Sequence, residues 1–279
     1  MSVKLIAVDM DSTFLKSDKT YNKARFLDQY AQLKQRGIHF VAASGNPLYT
    51  LKNYFPDIAD EISYVAENGV YVMQGNTELN YAAFDAALLK QMLGDLNQDF
   101  AECLILCAKQ CGYIGTAMPE QNLNKIKVYF KQLQQVADLT QIDDQICKIT
   151  LNTHPDAEQQ ALALLKTKPY VEQQQVNVVS SGFGFIDLIL PNQHKAYGLA
   201  FLQQHWGIAD QHVLAIGDNY NDLQMVQKAG YGFAMANAVP ALKQVARFHA
   251  KSNNEEGVLD VIDWVLEGQG QWPLTEKEH

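Results

Sequence analysis

Leu5-Ile6-Ala7-Val8-Asp9-Met10-Asp11-Ser12-Thr13 joins an aliphatic run to two carboxylates separated by a single residue. The run has the length and composition of a strand buried in a parallel sheet, and ligands of open α/β sheets collect beyond the carboxyl ends of such strands. Asp9 and Asp11 are therefore expected to face a site. Carboxylates this close repel one another, so the pair calls for a cation between them or a proton kept on one. Taken alone, Asp-x-Asp also suits an ordinary turn, with Asp9 capping it and Asp11 solvated.

Three further segments supply companions. Val213-Leu214-Ala215-Ile216-Gly217-Asp218-Asn219-Tyr220-Asn221-Asp222 repeats the design: an apolar strand, a glycine for close backbone approach, then acids. Oxygen ligands from two strand ends suit a hard cation, and magnesium, which takes one or two carboxylates plus water and a substrate phosphate, fits better than calcium. Ile38 to Ala43 reads as another strand and runs into Ser44-Gly45-Asn46-Pro47, where a hydroxyl, a glycine and a helix start form a candidate anion cradle. Lys195, just before an amphipathic helix, is placed to meet a phosphate as a point charge. Singly, Ser-Gly is more often a plain turn and a lysine more often a solvated one.

In this order the four segments resemble the motifs of the haloacid dehalogenase superfamily of phosphatases: Asp-x-Asp-x-Thr, a Ser or Thr after the second strand, a Lys, and Gly-Asp-x-x-Asn-Asp. Ala66-Glu67-Asn68-Gly69, Gly217 to Asp222, Ala234-Met235-Ala236-Asn237-Ala238 and Asn254-Glu255-Glu256-Gly257-Val258 are similar to its Cof-type (subfamily IIB) hydrolases. The resemblance implies a Rossmann-like core with a C2-type cap between the second and third motifs, and hydrolysis of a small phosphorylated metabolite with Mg2+. It also implies roles: Asp9 as nucleophile, Asp11 as acid and base, and Ser44, Gly45, Lys195 and Asn221 around the phosphate. Asp9, the main chain of Asp11, and Asp218 would hold metal, with Asp222 in support. Two positions depart from the pattern: Ser12 stands where Cof-type members usually have glycine, and Asn46 where they usually have arginine.

The wider chain agrees with an enzyme of two domains. Its 279 residues, 47% of them hydrophobic, exceed one typical domain. A formal net charge of −9 argues against nonspecific nucleic-acid binding. Cys103, Cys107 and Cys111 form no Cys-x-x-Cys pair, so the four cysteines read as buried free thiols. No leader pattern or membrane-length apolar run is seen, which makes the cytoplasm the expected compartment; oligomeric state is open.

Spacing sets the domain plan. Asp9 and Ser44 lie 35 positions apart, enough for one crossover with a helix from Lys23 to Arg36. Ser44 and Lys195 lie 151 apart, far more than a crossover and the strand Ile62 to Ala66 need. The expected fold is thus a doubly wound parallel α/β sheet from 1–82 and 188–279, with an α/β cap inserted at 83–187. Within the cap, helices are predicted at Phe84 to Leu96, Asn122 to Gln135 and Ala157 to Lys166, and strands at Cys103 to Ala108, Ile146 to Leu151 and Val176 to Val179. Tyr113, Met118 and the loop from Ser180 to Phe183 are candidate substrate contacts, but ordinary packing or a tight turn accounts for each of them more readily. A different class of function, a sugar-phosphate sensor or phospho-aspartate switch with little turnover, shares the same residues.

Overall fold

The computed structural model describes residues 2–182 and 184–268; Phe183 of the candidate loop and the expected core tail 269–279 lie outside them. The strands are β1 (Leu5–Asp9), β2 (His39–Ala43), β3 (Ser63–Ala66), β4 (Tyr71–Gln74), β5 (Thr77–Tyr81), β6 (Leu104–Cys107) and β7 (Gly112–Gly115). They continue with β8 (Leu133–Val136), β9 (Lys148–Asn152), β10 (Asn177–Gly182), β11 (Phe185–Ile189), β12 (Val213–Gly217), β13 (Tyr231–Met235) and β14 (Phe248–Ala250). The described residues form two compact units: 2–44, 57–80 and 194–268 in the first, 45–56, 81–182 and 184–193 in the second.

The first unit is built on the sheet order β14-β13-β12-β1-β2-β3-β4-β5. Neighbours from β14 to β3 run parallel, as the apolar strand pattern predicts, and β1 lies between β2 and β12 in the middle. Leu5, Ile6, Ala7 and Val8 are wholly buried, which is why this stretch carries no alternation. Parallel order ends at β3, because only the short turn Glu67–Gly69 precedes β4 and a connection that short permits antiparallel pairing alone. Helix Lys23–Gln35 packs with Gly257–Leu266, and Lys195–Trp206 packs with Leu223–Lys228 and β3.

The second unit has the order β10-β11-β9-β6-β7-β8, antiparallel except between β7 and β8. One face, with Leu104, Leu106, Ile149, Leu151, Ile186 and Leu188, packs on Met92, Leu93 and Leu96 of helix Ala86–Phe100 and on Ala161 and Leu165 of helix Glu158–Lys166. Strand alternation puts Cys107, Lys148, Thr150, Asn152 and Asp187 on the other face, all of them buried. The predicted helix Asn122 to Gln135 is corrected: helix Glu120–Ile126 ends early and β8 follows. Val128-Tyr129-Phe130 disfavours helix, and a turn from Ile126 to Phe130 buries both of those side chains. All four cysteines are free, as expected, but only Cys107 and Cys147 are buried. Met118 is buried, and Tyr113 donates its hydroxyl to Asp144 at 2.9 Å. Among the described residues no helix is long and apolar enough to cross a membrane.

Candidate active site

Asp9 closes β1, and the chain then makes an irregular turn, Met10–Phe14, in which Asp11 is extended and Ser12 takes φ +60°. That is the left-handed region, which explains why glycine is the usual residue there. β12 ends at Gly217, where a Cβ would lie 2.5 Å from the Cβ of Asp222, so only glycine lets the chain fold back. Asp222 then accepts hydrogen bonds from the amides of Asp218 and Asn219 on one oxygen, each at 3.0 Å.

Lys195 begins helix Lys195–Trp206, whose start is capped by His194 Nδ1 accepting from the amide of Tyr197 at 3.0 Å. Three residues on, Gly198 allows the helix to touch β3 and the 67–69 turn; a Cβ there would meet Val65 Cγ1 at 2.6 Å and Gly69 Cα at 2.8 Å. The lysine is thereby driven into the core, fully buried. Its Nζ donates to Asp222 Oδ1 at 2.6 Å and to Asp9 Oδ1. Thr13 Oγ1 donates to Asp218 Oδ1 at 2.9 Å.

These groups share one electrostatic balance. Burial raises the Asp9 carboxyl well above its ordinary range, Asp222 and Asp218 raise it further, and Lys195 opposes them. Burial, then repulsion from Asp222, pushes Asp218 up to about 6, against hydrogen bonds from Asp9 and Thr13. For Lys195, burial favours the neutral amine but Asp222 and Asp9 outweigh it and raise its pKa. Oxygens of Asp9, Asp218 and Asp222 lie within 4.8 Å of one another. Two buried carboxylates and the partly buried Asp218 stand against one ammonium, so an all-oxygen cluster of this size fits a hard divalent cation.

Each of the remaining expected residues has partners of its own. The Asn221 carboxamide donates to Asn68 Oδ1 at 3.1 Å. Ser44 is buried; its amide donates to Val65 O at 2.8 Å, and its carbonyl accepts from the amide of Asn68 at 3.0 Å. Asp11 is paired with Lys19 at 2.6 Å, both partly exposed. Gly45 opens the 45–56 stretch of the second unit, where its carbonyl accepts from Lys148 Nζ at 2.8 Å. Sequence reasoning passed over Thr13, Lys19, Asn68 and Lys148. Thr13 and Asn68 lie inside the quoted motifs, whereas nothing in the sequence ties Lys19 to Asp11.

A family model described as haloacid dehalogenase-like hydrolase matches residues 6–262. A protein of Escherichia coli K12 named 5-amino-6-(5-phospho-D-ribitylamino)uracil phosphatase is 42% identical over 95% of this chain and 97% of its own length. The crystal structure of SMU.1108c from Streptococcus mutans superposes with a TM-score of 0.89 at 33% identity, over 95% of this chain and 100% of that one. A structure titled as a HAD subclass IIB sugar phosphatase shares the fold, with a TM-score of 0.78 at 18% identity over 94% of this chain and 98% of its own. With Asp9 and Asp218 at the ends of adjoining strands and Lys195 held between Asp9 and Asp222, this chain belongs to the haloacid dehalogenase-like hydrolases.

Proposed function

We propose that the chain is a magnesium-dependent phosphatase acting on small phosphate monoesters through a phosphorylated Asp9. The observation that carries this reading is the buried ammonium of Lys195 held between Asp9 and Asp222, next to Asp218. Phosphate monoesters repel nucleophiles, so catalysis rests on charge neutralisation and in-line positioning. An Asp9 oxygen attacks phosphorus while the ester oxygen leaves with a proton from Asp11. Asp11 then takes a proton from water as that water attacks the acyl phosphate, releasing inorganic phosphate and restoring the Asp9 carboxylate and the protonated Asp11. Lys195, Ser44, Asn221 and the Gly45 main chain hold the phosphate oxygens, and Asp222 orients Lys195. Asp9, Asp218 and the main-chain carbonyl of Asp11 are the groups that would hold Mg2+, which when bound supplies further charge neutralisation.

In this proposal 1–82 and 188–279 form the catalytic domain and the inserted 83–187 selects the leaving group. The substrate named in the Escherichia coli relative, a ribitylaminouracil phosphate, is the first candidate, with sugar phosphates next. Four free thiols suit the reducing cytoplasm. The test is a panel of phosphorylated metabolites assayed with magnesium, with chelator, and with Asp9→Asn as blank. Chelator and the variant should each abolish release of phosphate; hydrolysis that survives both overturns the reading. One observation favours the sensor alternative: the Asp11 carboxylate is engaged by Lys19 at 2.6 Å. A phosphoenzyme that persists for minutes in the presence of magnesium would support that alternative.

A further inference from the structure

The 234–238 and 254–258 motifs have no part in the chemistry described above. The first of them, and Asn253 just before the second, meet the turn that carries Asp11. That turn, Met10–Phe14, is irregular: Asp11 is extended between Met10 and Ser12, and Ser12 holds φ +60°. The amide of Leu15 closes it onto Met10 O at 2.9 Å. A residue other than glycine is strained in the left-handed region, so such a turn keeps its shape only if the surrounding structure holds it.

Two asparagines of the first unit do this. Asn237 Nδ2 donates to Ser12 O at 2.8 Å, and its Oδ1 accepts from the amide of Asn253 at 3.1 Å. Asn253, which is buried, donates in turn through Nδ2 to Leu15 O at 2.9 Å. The two carboxamides thus bracket the turn from Ser12 to Leu15, a task for a side chain that donates and accepts at once. Two residues after Asn237, the amide of Val239 donates to Asp218 O at 2.8 Å, so one loop grips the turns after both β1 and β12. Lys19 holds the Asp11 carboxylate through a partly exposed side chain, whereas the asparagines hold the main chain beneath it. We infer that Asn237 and Asn253 are positioning residues: they fix the turn, and with it the reach of the Asp11 carboxyl to the leaving oxygen. The inference rests on the phosphatase reading, in which Asp11 is the general acid. Proton transfer requires hydrogen-bond reach, and about 1 Å of misplacement costs on the order of 100-fold.

The test compares kcat/KM for an alkyl phosphate, whose leaving oxygen needs a proton, with that for p-nitrophenyl phosphate, whose leaving group does not. The alkyl ester is 5-amino-6-(5-phospho-D-ribitylamino)uracil or glucose 6-phosphate, whichever the wild type hydrolyses faster. In Asn237→Ala the alkyl-to-aryl ratio should fall about tenfold or more. In an Asp11→Asn background the same substitution should leave the ratio unchanged, because the group that it places is gone. Asn237 is exposed, so the fold should tolerate the change. Asn237→Asp, which keeps the acceptor for Asn253 and loses the donor to Ser12, should repeat the fall, and it serves alone if Asn237→Ala does not fold. Equal slowing of both esters, or no change, overturns the inference and leaves the asparagines a role in stability only. A further fall of the ratio in the Asp11→Asn background overturns it as well. A wild type that hydrolyses neither alkyl ester overturns the phosphatase reading and this inference with it, whereas an active wild type with an unchanged ratio in the variants overturns the inference alone.

Discussion

Lys195 and Asp222, 27 residues apart in the chain, meet at 2.6 Å with both side chains closed to solvent. Asp222 is itself fixed by two main-chain amides, so the lysine is aimed by a group that cannot swing away. Such a pair earns its place by geometry, since burying charges costs nearly what their attraction returns. Lys195→Ala should lower kcat by on the order of 100-fold, as for loss of one preorganised donor. It should also destabilise the fold by about 3–5 kcal/mol, because Asp9 and Asp222 are left buried without their cation. Steady-state kinetics and denaturant melts check both; an unchanged melt would mean that the acids do not depend on Lys195.

Asp9 bears the opposite relation to stability. Its pKa is raised by burial and by two neighbouring acids, so folding disfavours the charged form. Asp9→Asn keeps the shape and removes that charge. Activity should fall by roughly 10⁴-fold or more, as for loss of a nucleophile. The melting temperature in chelator should rise at pH 7, where the wild-type group is held against its preference, and the gain should vanish as pH falls and wild-type Asp9 is protonated. A variant that melts lower at pH 7 would contradict the electrostatic balance described for the site.

Asp11 separates chemistry from binding. As general acid it is needed only when the departing alkoxide is strongly basic. Asp11→Asn should slow alkyl phosphates by about 10²–10⁴-fold and p-nitrophenyl phosphate far less, in side-by-side kcat measurements. Equal slowing of both classes would remove Asp11 from proton transfer and leave its pairing with Lys19 as its main role.

Ser12 shows how far local sequence carried the fold. The aliphatic runs at 5–8 and 213–216 named their strands because strands buried on both faces tolerate nothing else. Asp9, Asp218, Asp222 and Lys195 were legible for the same reason: each sits at the end of such a run or at a helix start. What stayed hidden has physical causes. Phe185-Ile186-Asp187-Leu188-Ile189 carries a buried aspartate paired with Thr150, and β7 is flanked by glycines, so neither reads as a strand. At Ser12 the φ of +60° is the hidden cause of the glycine preference. Ser12→Gly should relieve about 1–2 kcal/mol of strain and lose part of that to unfolded-state entropy. A net gain under about 1 kcal/mol with activity kept is expected from urea midpoints.

His39 gives the first unit a pH dependence of its own. Its ring stacks on Trp206 at 3.8 Å with a 10° tilt, and its pKa is lowered by burial and then by His205. A histidine whose folded pKa lies below its unfolded value of about 6.5 binds fewer protons when folded. Its contribution to stability is therefore present above that value and is lost as pH falls towards the folded pKa. The wild type should melt lower at pH 5.5 than at pH 7.5 by a margin that narrows in His39→Phe, which keeps the stack and cannot protonate. Trp206 fluorescence followed through the same range should report the change locally, because a protonated ring quenches the indole it covers. If the two proteins lose stability in parallel between those pH values, the dependence does not come from this stack, nor from Asp9 and Asp218, whose raised pKa values make that cluster more stabilising as pH falls.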